Sequence, residues 1–383
     1  MDDVDLLIAG AGPVGCVIAE RAATVCGWSS LIVEKRDHVA GNCHDEMHES
    51  GVMIHRYGPH YFRTNEKPLL DYLSAFTGWI EGNYRVKASV NGALYPFPIN
   101  LDTLEQFFGK KLDAESAQTL LTSLASDIPQ PANSEEFVLS RVGRQLYEAF
   151  YLGYTLKQWG RHPRDLEPSV CGRIPVRFTR DDRYVDAAYQ VMPDKGYTAM
   201  FSAMIISPRI RTMLKTSFED VRGKVHPRIA TVYCGPLDAY FDGALGNLPW
   251  RSLAFDFRTL EQEFAQPCVQ INYPNEHDYT RTVEIKHVTR QTCPRTVVSY
   301  EYPRAEGDPY YPVPAPAHRA LYERYRAMAD EETRTKRVYF AGRLATYRYI
   351  NTDQAIEEAL HTFERIREDA AHGDAVGRHA RVQ

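Results

Sequence analysis

Short apolar runs of strand length recur along the chain, separated by segments with helical spacing. The first is Leu6-Leu7-Ile8-Ala9, followed at once by Gly10-Ala-Gly12-Pro-Val-Gly15 and then by Cys16-Val-Ile-Ala-Glu-Arg-Ala-Ala, whose periodicity predicts a helix. A second apolar run, Ser30-Leu-Ile-Val-Glu34, ends in an acid. Gly51-Val-Met-Ile-His55 reads as a strand and gives way to a glycine-proline loop, Tyr57 to Asn65, that carries several ionisable groups. From Lys67 to about Arg173 the pattern turns helical, in Pro68 to Leu73, Thr103 to Phe108, Ala114 to Ser126 and Asn133 to Tyr154. A loop at Tyr95-Pro-Phe-Pro-Ile-Asn100 interrupts it. Beyond lie six predicted strands: Val176-Arg-Phe-Thr, Thr231-Val-Tyr-Cys, Ser252-Leu-Ala-Phe-Asp-Phe, Cys268-Val-Gln-Ile-Asn-Tyr, Arg281-Thr-Val-Glu-Ile-Lys-His and Thr296-Val-Val-Ser-Tyr-Glu-Tyr. Their alternation predicts an antiparallel sheet. A helix at Ala317 to Thr333, a strand from Val338 ending in a Gly342-Arg343 turn, and a helix from about Asp353 close the pattern; His372 to Gln383 reads as disordered.

Composition narrows the class. At 383 residues and 44% hydrophobic, the chain is long enough for two or three units around a shared ligand. No run approaches a membrane span, and Met1-Asp2-Asp3 lacks the basic start of a signal peptide, so a cytoplasmic protein is expected. A net charge of −5 gives no reason to expect nucleic acid. Seven cysteines without a CxxC pair argue for reduced thiols, against a metal site and against a disulfide framework. The 24 tyrosines are the unusual count. Many sit in Arg-rich loops, where phenol and guanidinium donors suit an anionic, hydroxyl-rich ligand; others simply line strand faces.

The first forty residues carry the clearest chemistry. Strand, glycine turn and helix place Gly10 at the tight turn, Gly12 where a pyrophosphate meets the backbone, and Gly15 where helix packs on strand. Phosphates then meet free N–H groups at the positive end of the helix. Glu34 lies near the spacing at which a carboxylate accepts both hydroxyls of an adenosine ribose. The sequel, Lys35-Arg36-Asp37-His38-Val39-Ala40-Gly41-Asn42, resembles the loop that flavoproteins of the glutathione-reductase type bring back across the pyrophosphate, which implies FAD.

A longer series is similar to the bacterial UDP-galactopyranose mutases: Tyr57-Gly-Pro-His60, Pro96-Phe-Pro-Ile-Asn100-Leu, Gly153-Tyr-Thr-Leu-Lys-Gln-Trp159-Gly, Arg173-Ile-Pro-Val-Arg177-Phe-Thr, Gly196-Tyr-Thr, Tyr279-Thr-Arg281, Glu301-Tyr-Pro, Pro309-Tyr-Tyr-Pro-Val and Gly342-Arg-Leu-Ala-Thr-Tyr-Arg-Tyr349. The motifs fall in family order from residue 5 to about 360. The resemblance implies an α/β fold with a Rossmann-like FAD-binding domain (1–75, 200–245 and 320–383), an inserted helical domain with a mobile substrate loop (76–175), and an antiparallel β-sheet domain (176–199 and 246–319), usually in a homodimer. It also implies a redox-neutral interconversion of pyranose and furanose forms of a nucleotide sugar through a covalent adduct between the sugar and N5 of the reduced flavin. No second nucleotide fingerprint is visible, so the reductant is expected to be external.

By motif match, Arg173 and Arg281 fall on the diphosphate and Tyr154 and Trp159 on the base. Tyr184, Tyr311 and Tyr349 fall on diphosphate or sugar. His60 lies beside the flavin, with Gly10, Gly12, Gly15, Glu34, Lys35, Asn42 and Arg343 as cofactor contacts. Arg177 is the weaker arginine and reads as structural. Two positions depart from the family. Arg63 stands where a second histidine is usual, and Asn351 where an aspartate is usual. Arg63 is counted among the catalytic candidates and either reads a sugar substituent, such as a 2-acetamido carbonyl, or forms a salt bridge with no bearing on substrate. The loss of charge at Asn351 would loosen nucleotide or sugar preference. Two other classes compete: a flavin oxidoreductase like the amine oxidases, and a nucleotide-sugar binding protein without catalysis.

Overall fold

The computed structural model describes residues 3–82 and 84–379, with side chains to residue 372. Its organising unit is a five-stranded parallel sheet in the order Ile210–Leu214, Ser30–Glu34, Leu6–Ala9, Ala230–Tyr233, Val338–Phe340. Leu6 stands opposite Ser30 on one side and Ala230 on the other. The strands Leu6–Ala9 and Ser30–Glu34 are buried at every position, which explains their unbroken apolar runs: a parallel sheet is covered on both faces. Pro13–Arg21, which begins with a proline at its first turn, covers one face together with the long helix Thr352–His379.

The second sheet has seven strands, in the order Tyr311–Pro312, Trp250–Leu260, Thr296–Arg304, Arg281–Val283, Gln270–Asn272, Val86–Val90, Ala93–Phe97. Every pairing is antiparallel except that of Gln270–Asn272 with Val86–Val90. A smaller antiparallel sheet joins Phe62–Thr64, Tyr189–Pro193 and Trp79–Glu81. The helices Leu101–Phe108, Ala114–Leu124, Ser134–Tyr147 and Gly153–Trp159 form a group, the first and last of which contact the seven-stranded sheet. Asn100, Asp113 and Asn133 start the first three by accepting a backbone N–H with their side chains.

Five expectations need correction. Residues 86–97 are strands and not part of a helical run with a loop. The strand Ala93–Phe97 ends the sheet, and an edge position tolerates Pro96, which cannot donate to a ladder. Val176 to Thr179 makes no strand: Arg177 N bonds Ile99 O and Leu101 N bonds Thr179 O, with no continuing ladder. The strand from Arg281 stops at Val283, and Lys286–Thr289 is a short helix. Thr231 belongs to the parallel sheet, and the last helix runs on to His379, so only 380–383 of the expected disordered tail lie outside the described residues.

Candidate active site

Two cavities meet behind the glycine turn. The first, of about 410 Å3, is lined by Gly10, Gly12, Gly15, Glu34, Lys35, Asn42, His60 and Arg343 among others; the second, of about 310 Å3, by His60, Arg63, Tyr154, Trp159, Arg173, Tyr184, Arg281, Tyr311, Arg343, Tyr349 and Asn351 among others. His60, Arg343, Asn351 and Thr352 belong to both. Every candidate position from the sequence except Arg177 therefore lines one or both of two adjoining cavities.

The first cavity fits a dinucleotide. A Cβ on Gly15 would stand 2.0 Å from the Gly10 carbonyl oxygen, and Gly41 packs so closely that its Cβ would stand 3.0 Å from the Gly12 Cα. Pro13–Arg21 has no side-chain cap and no acid in its first turn, so its leading amides are open to a phosphate. The Glu34 carboxylate accepts Ala11 N at 2.9 Å and Arg36 N at 3.0 Å, one on each oxygen, and each oxygen keeps lone-pair capacity for a ribose hydroxyl. Lys35, expected as a cofactor contact, turns its ammonium to Asp308 at 3.0 Å. Arg36, not among the expected contacts, shares Asp308 at 3.4 Å but also bonds Asn42 Oδ1 at 2.9 Å, with its guanidinium carbon 4.2 Å from the Tyr57 ring centre.

The second cavity is dominated by positive charge. Arg281, at the head of its strand, is held through Nε and Nη2 by Glu301, both at 2.7 Å; that carboxylate is fully buried, and its Oε1 has no partner. Arg63, Arg173 and Arg343 have no carboxylate within ion-pair distance among the described residues. Arg173 follows the short helix Ser169–Gly172 and lies 4.1 Å from the Tyr349 ring centre. Burial pushes the Tyr349 phenol up, but the guanidiniums of Arg173 and Arg343 outweigh it and bring the group down to about 8. Arg343 donates to Ile350 O at 2.6 Å and stands 5.6 and 5.5 Å from the rings of Tyr311 and Tyr349.

Aromatic rings wall the far end. Trp159 is buried against Leu166 and Val313, its ring edge-on to Tyr311 at 6.2 Å and Tyr349 at 6.1 Å. Tyr184 packs on Tyr84 at 6.1 Å. Burial and the Arg343 charge hold the His60 imidazole down at about 3, so it stays neutral; its Nδ1 donates to Gly58 O at 3.0 Å, which leaves Nε2 as an acceptor. The two departures touch: Arg63 Nη2 donates to Asn351 Oδ1 at 3.0 Å. Arg177 lines neither cavity and is held by Asp186 and the Arg183 carbonyl. Gln270 and Asn272 were missed. They are polar residues two apart on an apolar strand, a pattern that puts both on one face, and they line the cavity bonded to each other at 2.7 Å.

A family model for UDP-galactopyranose mutase matches residues 149–349, and one for NAD(P)-binding Rossmann-like domains matches residues 8–76. A Klebsiella pneumoniae protein named as a probable UDP-galactopyranose mutase is 38% identical, over 96% of this chain and 95% of its own. The chain belongs to the UDP-galactopyranose mutase family. Its members are isomerases, and membership together with the Rossmann-like domain implies a flavin cofactor. An Escherichia coli dTDP-fucopyranose mutase is 34% identical over 93% of this chain and 96% of its own. Among solved structures, a reduced UDP-galactopyranose mutase superposes with a TM-score of 0.75 at 16% identity, covering 97% of this chain and 95% of that one. A putrescine oxidase with putrescine bound superposes at 0.57 and 12% identity, covering 96% and 99%, and so shares the fold alone. No helix among the described residues is long and apolar enough to cross a membrane.

Proposed function

We propose that this member of the mutase family binds FAD in the first cavity and a nucleotide sugar in the second, and interconverts pyranose and furanose forms of the sugar without net redox change. The observation that carries the reading is the excess of guanidinium over carboxylate in the second cavity. Four arginines line it and only Arg281 has an acid within ion-pair distance among the described residues, so the cavity carries uncompensated positive charge that calls for an anionic ligand. An amine-oxidase substrate, itself a cation, would be repelled.

Reduced flavin, when bound, supplies an electron-rich ring nitrogen that can act as nucleophile towards the anomeric carbon. The remaining work falls to the chain. Arg173 and Arg281 approach the diphosphate from two different elements, so that it stays within reach as its bond to the sugar breaks and re-forms. Tyr349, acidic for a phenol, gives a strong hydrogen bond to phosphate oxygen, and Tyr184 and Tyr311 add hydroxyls along the same wall. Tyr154 and Trp159 offer faces for the base. Neutral His60 borders both cavities and presents an acceptor without adding to the positive charge.

Arg63 and Asn351 form one unit at the junction of the cavities, and we infer that this unit reads the sugar. Relatives named for UDP-galactopyranose and dTDP-fucopyranose bracket the range of ligands, and a 2-acetamido sugar, whose carbonyl would accept from Arg63, is a third member. The same reading calls for an external flavin reductant. The test is turnover of UDP-galactofuranose, its 2-acetamido analogue and dTDP-fucofuranose by the reduced enzyme, read by chromatography. Conversion of at least one to the pyranose form is expected; oxygen consumption with oxidised sugar as product would favour an oxidoreductase instead.

A further inference from the structure

Arg281 stands at the end of a tight hairpin. Gln270–Asn272 pairs with Arg281–Val283, and Tyr273 N donates to Thr280 O at 2.8 Å, closing residues 273–280 into the turn. Four carbonyls of this turn converge on one cation. Lys157 Nζ bonds the Tyr273 carbonyl and lies 2.9, 3.2 and 3.1 Å from those of Glu276, His277 and Tyr279. Lys157 belongs to Gly153–Trp159, the helix that brings Tyr154 and Trp159 to the second cavity, yet it lines neither cavity itself.

Other contacts fasten the turn to this helix and to the helical segment Glu148–Leu152 that leads into it. Asn275 Nδ2 donates to Ala149 O at 3.0 Å, Thr280 Oγ1 to Gln158 Oε1 at 3.3 Å, and a Cβ on Gly153 would stand 2.4 Å from the Pro274 carbonyl oxygen. Turn carbonyls have no ladder partners, and an ammonium with three donors gathers several of them at once. Lys286 makes a similar capture, of Glu263, Cys293 and Arg295 carbonyls, away from both cavities. What distinguishes Lys157 is that both elements it joins carry cavity residues.

We propose that Lys157 is a positioning residue: by clamping the 273–280 turn to the aromatic helix it fixes where Arg281 meets the diphosphate. The role rests on the reading of Arg281 as a diphosphate ligand. Misplacement of such a group by about 1 Å costs on the order of 100-fold in rate.

The test is a double-mutant cycle on the reduced enzyme with UDP-galactofuranose, or whichever nucleotide furanose the wild type converts. Lys157→Met should lower kcat/KM roughly 10- to 100-fold alone, but less than about 3-fold where Arg281→Gln has already removed the group being positioned. Lys157→Arg, which keeps a cation with several donors, should recover most of the loss. Equal effects in both backgrounds would overturn the proposal and leave Lys157 a generic support. Should Lys157→Met not fold, Asn275→Ala, which loosens the same turn, decides by the same cycle. A wild type inactive on every nucleotide furanose would overturn the functional reading and this role with it; an active wild type with an additive cycle removes only the role.

Discussion

Arg173 and Arg281 share a cavity but not a setting, and removing each should have different consequences. Arg173 has no acid within ion-pair distance among the described residues; its partner is Tyr349, whose ring centre lies 4.1 Å away and whose hydroxyl it hydrogen-bonds. Arg173→Ala forfeits about 0.5–1 kcal/mol of cation–π contact and about 1 kcal/mol for one hydrogen bond to Tyr349, so the folded protein should lose no more than about 2 kcal/mol. Function should suffer far more. Two charge-assisted hydrogen bonds to a diphosphate, at about 1.5–3 kcal/mol each, sum to about 3–6 kcal/mol, or roughly 10²- to 10⁴-fold in kcat/KM. Arg281→Ala loses comparable activity and also strands the Glu301 carboxylate, which is fully buried, at a cost of about 3–5 kcal/mol in stability. Burial raises the Glu301 pKa even with Arg281 present, and without that guanidinium it rises further. A carboxyl whose folded pKa is raised binds its proton more tightly when folded, so the stability deficit should shrink as pH falls through that raised value. Melting curves across pH, beside kinetics of the reduced enzyme, make the comparison. If Arg173→Ala melted far below wild type and kept kcat/KM within about 3-fold, the arginine would be structural and the charge argument wrong.

Other perturbations probe the remaining parts of the site. Gly15→Ala puts a Cβ 2.0 Å from the Gly10 carbonyl oxygen, so the turn must open and the protein should purify without flavin colour; full flavin retention would count against this cavity. Tyr349 should ionise near pH 8, visible as a phenolate difference spectrum that Tyr349→Phe abolishes and Arg173→Ala moves to higher pH. Arg63→His removes the bond to Asn351 and should shift the ratio of turnover between UDP-galactofuranose and its 2-acetamido analogue by about 10-fold, the value of one or two polar contacts; an unchanged ratio would detach Arg63 from sugar choice.

The glycine turn, its strand and Glu34 were legible because local chemistry alone dictates them: a buried parallel strand is apolar throughout, and only glycine permits the Gly15 approach. Arg173 and Arg281 were legible as a pair by motif, but not the difference between them, because Glu301 comes beside Arg281 only through the pairing of two strands. Pro96 concealed a strand, since proline argues against a central strand and sequence does not mark which strands are edges. The contact between Arg63 and Asn351 joins residues 288 positions apart, which no local pattern could reveal. Gln270 and Asn272 were visible in principle, as two amides on one face of an apolar strand. The Lys157 clamp was not, because its partners are backbone carbonyls, which carry no side-chain signature.

The central claim is that this cavity performs a redox-neutral rearrangement that needs an electron-rich flavin. The most direct measurement takes one preparation, splits it, leaves half oxidised and reduces half with dithionite under anaerobic conditions, and follows the ring forms of the converted nucleotide sugar in both. The account predicts conversion in the reduced half alone, with the flavin still reduced at the end. Equal rates in the two halves, or oxidation of the flavin in step with product, would contradict it.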